Sequence, residues 1–145
     1  MLYVQYKDIL IADDDPDDRL MIKECFEEVG VPNPLVLVED GEELVEYLYS
    51  RESRKDLPAL IVVDLNMPKK NGFEAINEIS KSERLTHIPI AIFSTSKSES
   101  DKKKAFELGV KYYFPKPNSF DEMKKVLREL KKLYRGYRVI LNGTK

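Results

Sequence analysis

Apolar and polar positions fall in two alternating rhythms along the chain. Short continuous apolar runs are each followed by a longer stretch in which apolar residues return every three or four positions. The first rhythm predicts buried strands and the second amphipathic helices. Strands are expected at residues 8–12, 35–38, 59–63, 89–93 and 112–114. Pro16 suits the first turn of a helix, where its missing N–H costs nothing. That helix should turn Leu20, Ile22, Phe26 and Val29 inward and stop at Gly30. A second helix is expected over 41–49, with Leu44, Val45 and Leu48 inward. A third covers 72–82, with Phe73, Ile76 and Ile79 at helical spacing. A fourth covers 101–108 and is closed by Gly109, since glycine commonly ends helices. Phe120, Met123, Leu127, Leu130 and Tyr134 stripe one face of a last, long helix. The polar stretch 50–56 reads as a surface loop.

Strands alternating with helices argue for βα units and a parallel sheet, an α/β fold with both sheet faces covered. With 145 residues and neither internal repeat nor low-complexity linker, one domain of five such units is expected over 1–133. The tail 134–145 holds Tyr137, Val139, Ile140 and Leu141, too apolar for a comfortable free end. It either packs back on the domain or pairs with a second chain as a homodimer.

In sheets of this kind, ligands bind beyond the carboxyl ends of the strands. The tips here are unusual. The first strand runs into Asp13-Asp14-Asp15, the third (LIVVDLNMP) into Asp64, the fourth into Ser94-Thr95-Ser96, and the fifth leads to Lys116. An ionised carboxylate is expensive to bury unless paired, so Asp64 belongs at a strand's tip. Several carboxylates on neighbouring tips repel one another unless something positive lies between them. Magnesium suits the role, because it takes oxygen ligands and commonly one or two carboxylates plus phosphate oxygens. With the hydroxyl of Ser94 and the ammonium of Lys116, the set fits a phosphoryl group, and Asp64 becomes the expected acceptor.

At these residues the sequence resembles the receiver domains of bacterial two-component response regulators. The acidic cluster after the first strand, DLNMPKKNG after the third, FST after the fourth and PKP after the fifth match in order over residues 8 to about 133. The acidic run, Pro16 and the long loop before the third strand are most similar to small stand-alone receivers, including those that serve phytochrome-type sensor kinases. The resemblance implies a flavodoxin-like, doubly wound sheet of five parallel strands in the order 2-1-3-4-5 with five helices. It implies that Asp64 takes a phosphoryl group from a sensor histidine kinase or a histidine phosphotransfer protein. Self-dephosphorylation would follow, rather than turnover of a substrate. It makes Asp13 and Asp14 the magnesium acids, Asp14 directly and Asp13 through water, with Asn66 giving its backbone carbonyl. Lys116 would contact the phosphoryl group and precede Pro117 through a cis bond. Ser94 would act as the switch hydroxyl and Tyr113 as the aromatic switch, altering a surface read by a downstream protein. Two departures stand out. Asp15 extends the acidic pair, so the metal acids are open to a shift of one position. Thr95 replaces the small residue often found after the switch hydroxyl, which should slow dephosphorylation. Asn66 and Ser96 resemble lifetime-tuning positions of the family.

Plainer readings compete at several positions. Asp17 and Asp18 read as first-turn acids that complement the helix dipole. Tyr113 reads equally as an inward-packed tyrosine without a switching role. His87, the one histidine, sits before Ile88-Pro89 in a loop, so a phosphohistidine donor must come from a partner. Cys25, the one cysteine, excludes an internal disulfide, fits a reducing cytosol and reads as packing. No basic n-region with a following apolar core opens the chain and no run is long enough to span a bilayer, so a cytoplasmic protein is expected. Residues 1–50 carry 14 acidic and 3 basic side chains, and residues 101–145 carry 5 and 13. The basic end, including Lys102-Lys103-Lys104, reads as solvated helix faces rather than a nucleic-acid surface. A haloacid-dehalogenase-type phosphohydrolase would also use a strand-end Asp with magnesium. Such enzymes usually carry a second acid two residues on, where this chain has Asn66. The other rival is a structural or nucleic-acid-binding module with inert acids at its strand tips.

Overall fold

The protein is described by a computed structural model covering residues 2–52 and 56–141. In chain order the elements are β1 (Leu2–Tyr6), β2 (Ile9–Ala12), α1 (Pro16–Glu28), β3 (Leu35–Val38), α2 (Gly41–Arg51), β4 (Leu60–Val63), α3 (Gly72–Ser80), β5 (Ile90–Ser94), α4 (Glu99–Glu107), β6 (Tyr112–Pro115), α5 (Phe120–Leu130) and β7 (Tyr137–Leu141). Five strands form a parallel sheet in the order β3-β2-β4-β5-β6. Counted among those five, this is the doubly wound order 2-1-3-4-5.

The continuous apolar runs follow from burial on both faces. Strand side chains alternate in direction. Ile9, Ile11, Leu60, Val62, Ala91 and Phe93 pack beneath α1 and α5 with Ile22, Phe26, Met123 and Leu127. Leu10, Ala12, Ile61, Val63, Ile90 and Ile92 face α2, α3 and α4 with Leu44, Leu48, Ile76 and Ile79. Burying a side chain of this size contributes about 1.5–3 kcal/mol, so two filled layers outweigh any single surface contact. Cys25 is fully buried in the first layer, its thiol donating to the Phe120 carbonyl at 3.8 Å. Burial pushes that thiol up to about 11.

Register then fixes where the strands end. Ala12 stands opposite Val38 on one side and Val63 on the other, and the Asp64 N–H donates to the Ala12 carbonyl (3.0 Å). Asp13 and Asp64 therefore leave adjacent strands side by side. The chain connects outward from β2 in both directions, so this is also the point where strand order reverses.

Several expectations are corrected. Leu20 is 52% exposed. The buried stripe of α1 runs Ile22, Cys25, Phe26 and Val29, and Leu20 is out of phase with it. The last helix ends at Leu130 with Lys131 as its cap, and Tyr134 packs half-buried against the same layer from beyond it. Helix α4 begins at Glu99 because the Ser98 side chain caps it, accepting from the Asp101 N–H. Helix α2 runs to Arg51, so the expected 50–56 loop starts later, and residues 53–55 lie outside the described residues. Gly30 and Gly109 follow α1 and α4 at φ 78° and 95°, the left-handed conformations expected of helix-ending glycines.

The largest difference lies at the chain ends. β1 and β7 form an antiparallel two-stranded ribbon, with Leu2 opposite Leu141 and Tyr6 opposite Tyr137. The apolar tail thus folds onto the first residues of the same chain. Asn33, buried beneath the ribbon's base, donates both Nδ2 hydrogens, to the carbonyls of Lys7 (2.8 Å) and Gly136 (2.7 Å). The Lys7 N–H also bonds the Gly136 carbonyl (2.8 Å). A side chain on Gly136 would meet the Asn33 amide at 2.7 Å, so a larger residue there has to push that amide off its two carbonyls. Among the described residues, no helix is long and apolar enough to cross a membrane.

Candidate functional site

Asp13 follows β2 and Asp64 follows β4, both nearly buried at 2% and 7% exposure, whereas Asp14 faces solvent. One carboxylate oxygen from each of Asp13, Asp14 and Asp64 lies within 4.8 Å of the others. The local backbone holds these groups. The Asp13 Oδ1 accepts the Asp15 N–H (3.0 Å), and the Asp64 Oδ1 accepts the Asn66 N–H (3.2 Å). The Arg19 guanidinium donates to the Asp13 carbonyl (2.6 Å) and reaches Glu39 (3.4 Å). Asp15 turns away from the cluster. Its side chain caps α1, accepting from the N–H groups of Asp17 and Asp18. Asp15 thus stands outside the carboxylate cluster that Asp13, Asp14 and Asp64 form.

The loop after Asp64 is shaped by close backbone approach. A Cβ on Gly72 would lie 2.6 Å from the Asp64 carbonyl, and one on Gly41 would lie 2.1 Å from the Lys70 carbonyl. Lys69 within that loop adopts φ 63°. Asn71 and Glu74 close a capping box at the start of α3, so the loop that carries Asn66 is pinned at both ends.

Lys116 arrives from β6, mostly buried between two prolines. Its Nζ stands 2.9 Å from Asp13 Oδ2, 3.1 Å from Asp64 Oδ2 and 2.6 Å from Asp18 Oδ2. Burial opposes its charge, yet the hydrogen bonds to Asp18 and Asp13 and the fields of Asp13 and Asp64 outweigh it, leaving its pKa above the ordinary lysine value. For Asp13 the balance runs the other way. Burial raises its carboxyl above the ordinary aspartate value despite the Asp15 N–H and Lys116. The Lys116–Pro117 bond is trans, against the cis form that the resemblance implies. X-Pro bonds favour trans by only about 0.5–1 kcal/mol, and here the trans chain already meets both of Lys116's contacts. Its N–H donates to the Ser94 carbonyl (2.8 Å) and its ammonium reaches the acids.

Ser94 ends β5 fully buried, its Oγ accepting the Ser96 N–H (3.0 Å). Thr95 is exposed at the rim of an open depression of about 590 Å³, which Lys116, Pro117 and Lys125 also line. Tyr113 is half-buried against the α2–α4 layer, and its hydroxyl donates to the Ser96 carbonyl (3.4 Å). The Ser96 hydroxyl in turn donates to Asp101 (2.6 Å), tying the β5–α4 loop to α4. Lys104 lies over the Phe73 ring at 4.4 Å, and His87 is exposed before β5.

Asp13, Asp14, Asp64, Asn66, Ser94 and Lys116 thus gather at one end of the sheet, with Tyr113 behind them. The residue that the sequence reading placed elsewhere is Asp18, assigned to the helix dipole and found against Lys116. Its signal was helical phase. Asp18 lies one turn before Ile22 on the buried stripe of α1, whereas Asp17 lies off it.

Several known proteins are similar to this chain over most of their length. The probable methanogenesis regulatory protein FilR2 of Methanothrix harundinacea is 32% identical over 130 residues, 89% of this chain and 84% of that protein. The crystal structure of the phosphorylated cyanobacterial phytochrome response regulator RcpA superposes with a TM-score of 0.81 at 30% identity, covering 90% of this chain and 94% of that one. The Mn²⁺-bound form of Rcp1, a response regulator of Synechocystis, gives 0.76 at 28% identity, covering 87% and 92%. Residues 9–128, which contain every site residue described above, match the response regulator receiver domain, and the chain belongs to that family of two-component signalling proteins.

Proposed function

We propose that this receiver accepts a phosphoryl group on Asp64 in the presence of Mg²⁺ and passes the change to a protein-binding surface. Receiver domains bind Mg²⁺ at an acidic pocket and are phosphorylated by histidine kinases. The observation that carries the reading for this chain is the pairing of a three-carboxylate cluster with one buried ammonium. Three hard oxygen donors on two adjacent strand tips fit a small divalent cation. Asp13, Asp14, Asp64 and the Asn66 carbonyl would hold it, and once bound it neutralises charge on the phosphoryl oxygens.

The residues of the chain do the rest. Asp64 is the acceptor: an N–P bond of a donor phosphohistidine breaks, an O–P bond to the Asp64 carboxylate forms, and the donor imidazole regains a proton. The Asn66 N–H holds Asp64 Oδ1 so that the other oxygen points outward. Lys116, now within hydrogen-bond reach of Asp64 Oδ2, compensates the added phosphoryl charge. Ser94 offers the hydroxyl that follows the phosphoryl group. Tyr113 is released from the Ser96 carbonyl when that loop moves, which links the site to α4 and β6. The donor is a sensor histidine kinase or a histidine phosphotransfer protein, with phytochrome-type kinases favoured by the likeness to the phytochrome response regulator RcpA.

Incubation with acetyl phosphate, with and without Mg²⁺, tests the reading by intact mass. A Mg²⁺-dependent gain of one phosphoryl group in the parent and none in Asp64→Asn is the expected result. A gain that persists in Asp64→Asn would move the acceptor elsewhere.

A further inference from the structure

The ammonium of Lys116 has three N–H donors and three carboxylate partners, Asp13, Asp18 and Asp64. Two of those partners have other duties. Asp13 and Asp64 belong to the carboxylate cluster that fits a cation, and Asp64 ceases to be a carboxylate once it carries a phosphoryl group. Asp18 belongs to neither. It comes from the first turn of α1 rather than from a strand tip, it lies outside the cluster, and its 2.6 Å contact is the shortest of the three. A lysine side chain carries up to about 2 kcal/mol of rotamer entropy, so a single-anchor ammonium does not stay in one place without a fixed partner.

The geometry points to Asp18 as the positioning residue that keeps Lys116 in place when Asp13 and Asp64 turn to the cation and the phosphoryl group. The inference rests on the phosphoacceptor reading above. Without Asp18, Lys116 has only the two cluster carboxylates to bind. It then competes with the cation for both and is free to swing once they are engaged. Asp18 is backed by the α1 backbone, where its own N–H bonds the Asp15 cap, so its position does not depend on the state of the pocket.

Asp18→Asn keeps the shape and removes the charge, Asp18→Glu keeps the charge, and Asp18→Ser provides a second neutral variant should the first not fold. Two readouts are taken at saturating Mg²⁺. One is the inequivalence of the Lys116 ε-methylene protons in ¹³C-lysine-labelled protein, assigned by its loss in Lys116→Arg. The other is the initial rate of phosphorylation by acetyl phosphate. The neutral variants should average the two ε-proton signals and slow phosphorylation about tenfold, the worth of one charge-assisted hydrogen bond. Asp18→Glu should restore both. Persistent inequivalence in the folded neutral variants would overturn the proposal, as would an unchanged rate. Weaker Mg²⁺ binding with Lys116 still fixed would overturn it too, making Asp18 a metal acid. The lysine signal is read without any phosphoryl group, so failure of the parent to be phosphorylated would count against the phosphoacceptor reading and leave this readout standing.

Discussion

Replacing Lys116 with methionine leaves the length and most of the apolar stem of the side chain and deletes the charge. In Mg²⁺-free protein this strands Asp13, Asp14 and Asp64, whose oxygens lie within 4.8 Å of one another, with no cation among them. At an effective dielectric of about 20, two unit charges at that separation repel by about 3.5 kcal/mol, and each 2.9–3.1 Å contact of Lys116 offsets about 5–6 kcal/mol before desolvation. Removing a buried lysine also removes its own desolvation cost, so the net loss belongs near the lower end of the 3–5 kcal/mol typical for breaking a buried pair, about 3 kcal/mol. For a domain of this size that lowers Tm by about 6–12 °C. The assay is thermal unfolding followed by circular dichroism, in chelator and then in Mg²⁺. The deficit should be full in chelator and shrink in Mg²⁺, which restores positive charge to the cluster. It should also shrink as pH falls. Burial already raises the Asp13 carboxyl, loss of Lys116 raises it further, and a protonated Asp13 no longer repels Asp64. A variant that melts within about 2 °C of the parent in chelator would refute the charge-compensation argument.

Three further outcomes are expected. Asn33→Ala leaves the carbonyls of Lys7 and Gly136 short of a buried donor, and about 2 kcal/mol of local stability should be lost, seen as faster amide exchange in Leu2–Tyr6 with little change in the central strands. Thr95→Ala opens the rim beside Ser94, and the phosphorylated form, followed by intact mass after donor removal, should lose its phosphoryl group faster than the parent. Burial first, then the hydrogen bond to Asp8, pushes the Tyr47 hydroxyl up to about 12. The unfolded chain therefore releases that proton near its ordinary value while the folded chain keeps it, so stability falls as pH rises from about 10 to 12, by at most about 1.4 kcal/mol per unit. Denaturant midpoints of Tyr47→Phe should fall less steeply over that window.

The site was legible where sequence order and chemistry coincide. Asp64 could be read because four apolar residues run straight into a carboxylate, a pattern that only a strand tip accommodates. Lys116 and Ser94 could be read because each ends another such run. Asp18 was not legible in the same way, since an acid in the first turn of a helix already has a sufficient explanation in the dipole. Only the phase of Ile22, Cys25 and Phe26, once fixed by packing, separates it from Asp17. The same phase corrects Leu20, whose apolar character is spent on the surface. β1 was missed for a different reason. In LYVQY every residue is exposed, so there is no inward face to generate alternation, and its partner lies at the other end of the chain. The trans bond before Pro117 was beyond composition altogether, being decided by a preference of about 1 kcal/mol or less.

The ribbon has a mechanical meaning. Leu2 faces Leu141 at its outer end and Tyr6 faces Tyr137 at its base, so tension applied between the two outer residues acts across the ladder and not along it. Hydrogen bonds then fail one at a time, each worth about 1 kcal/mol net, instead of resisting together in shear. Force reaches β2 and the parallel sheet only after the Lys7–Gly136 bond and the two Asn33 bonds have parted. The strand tips that carry the acids are thus isolated from pulling at the chain ends by an element that yields first and re-forms when slack returns, in the manner of a resettable fuse.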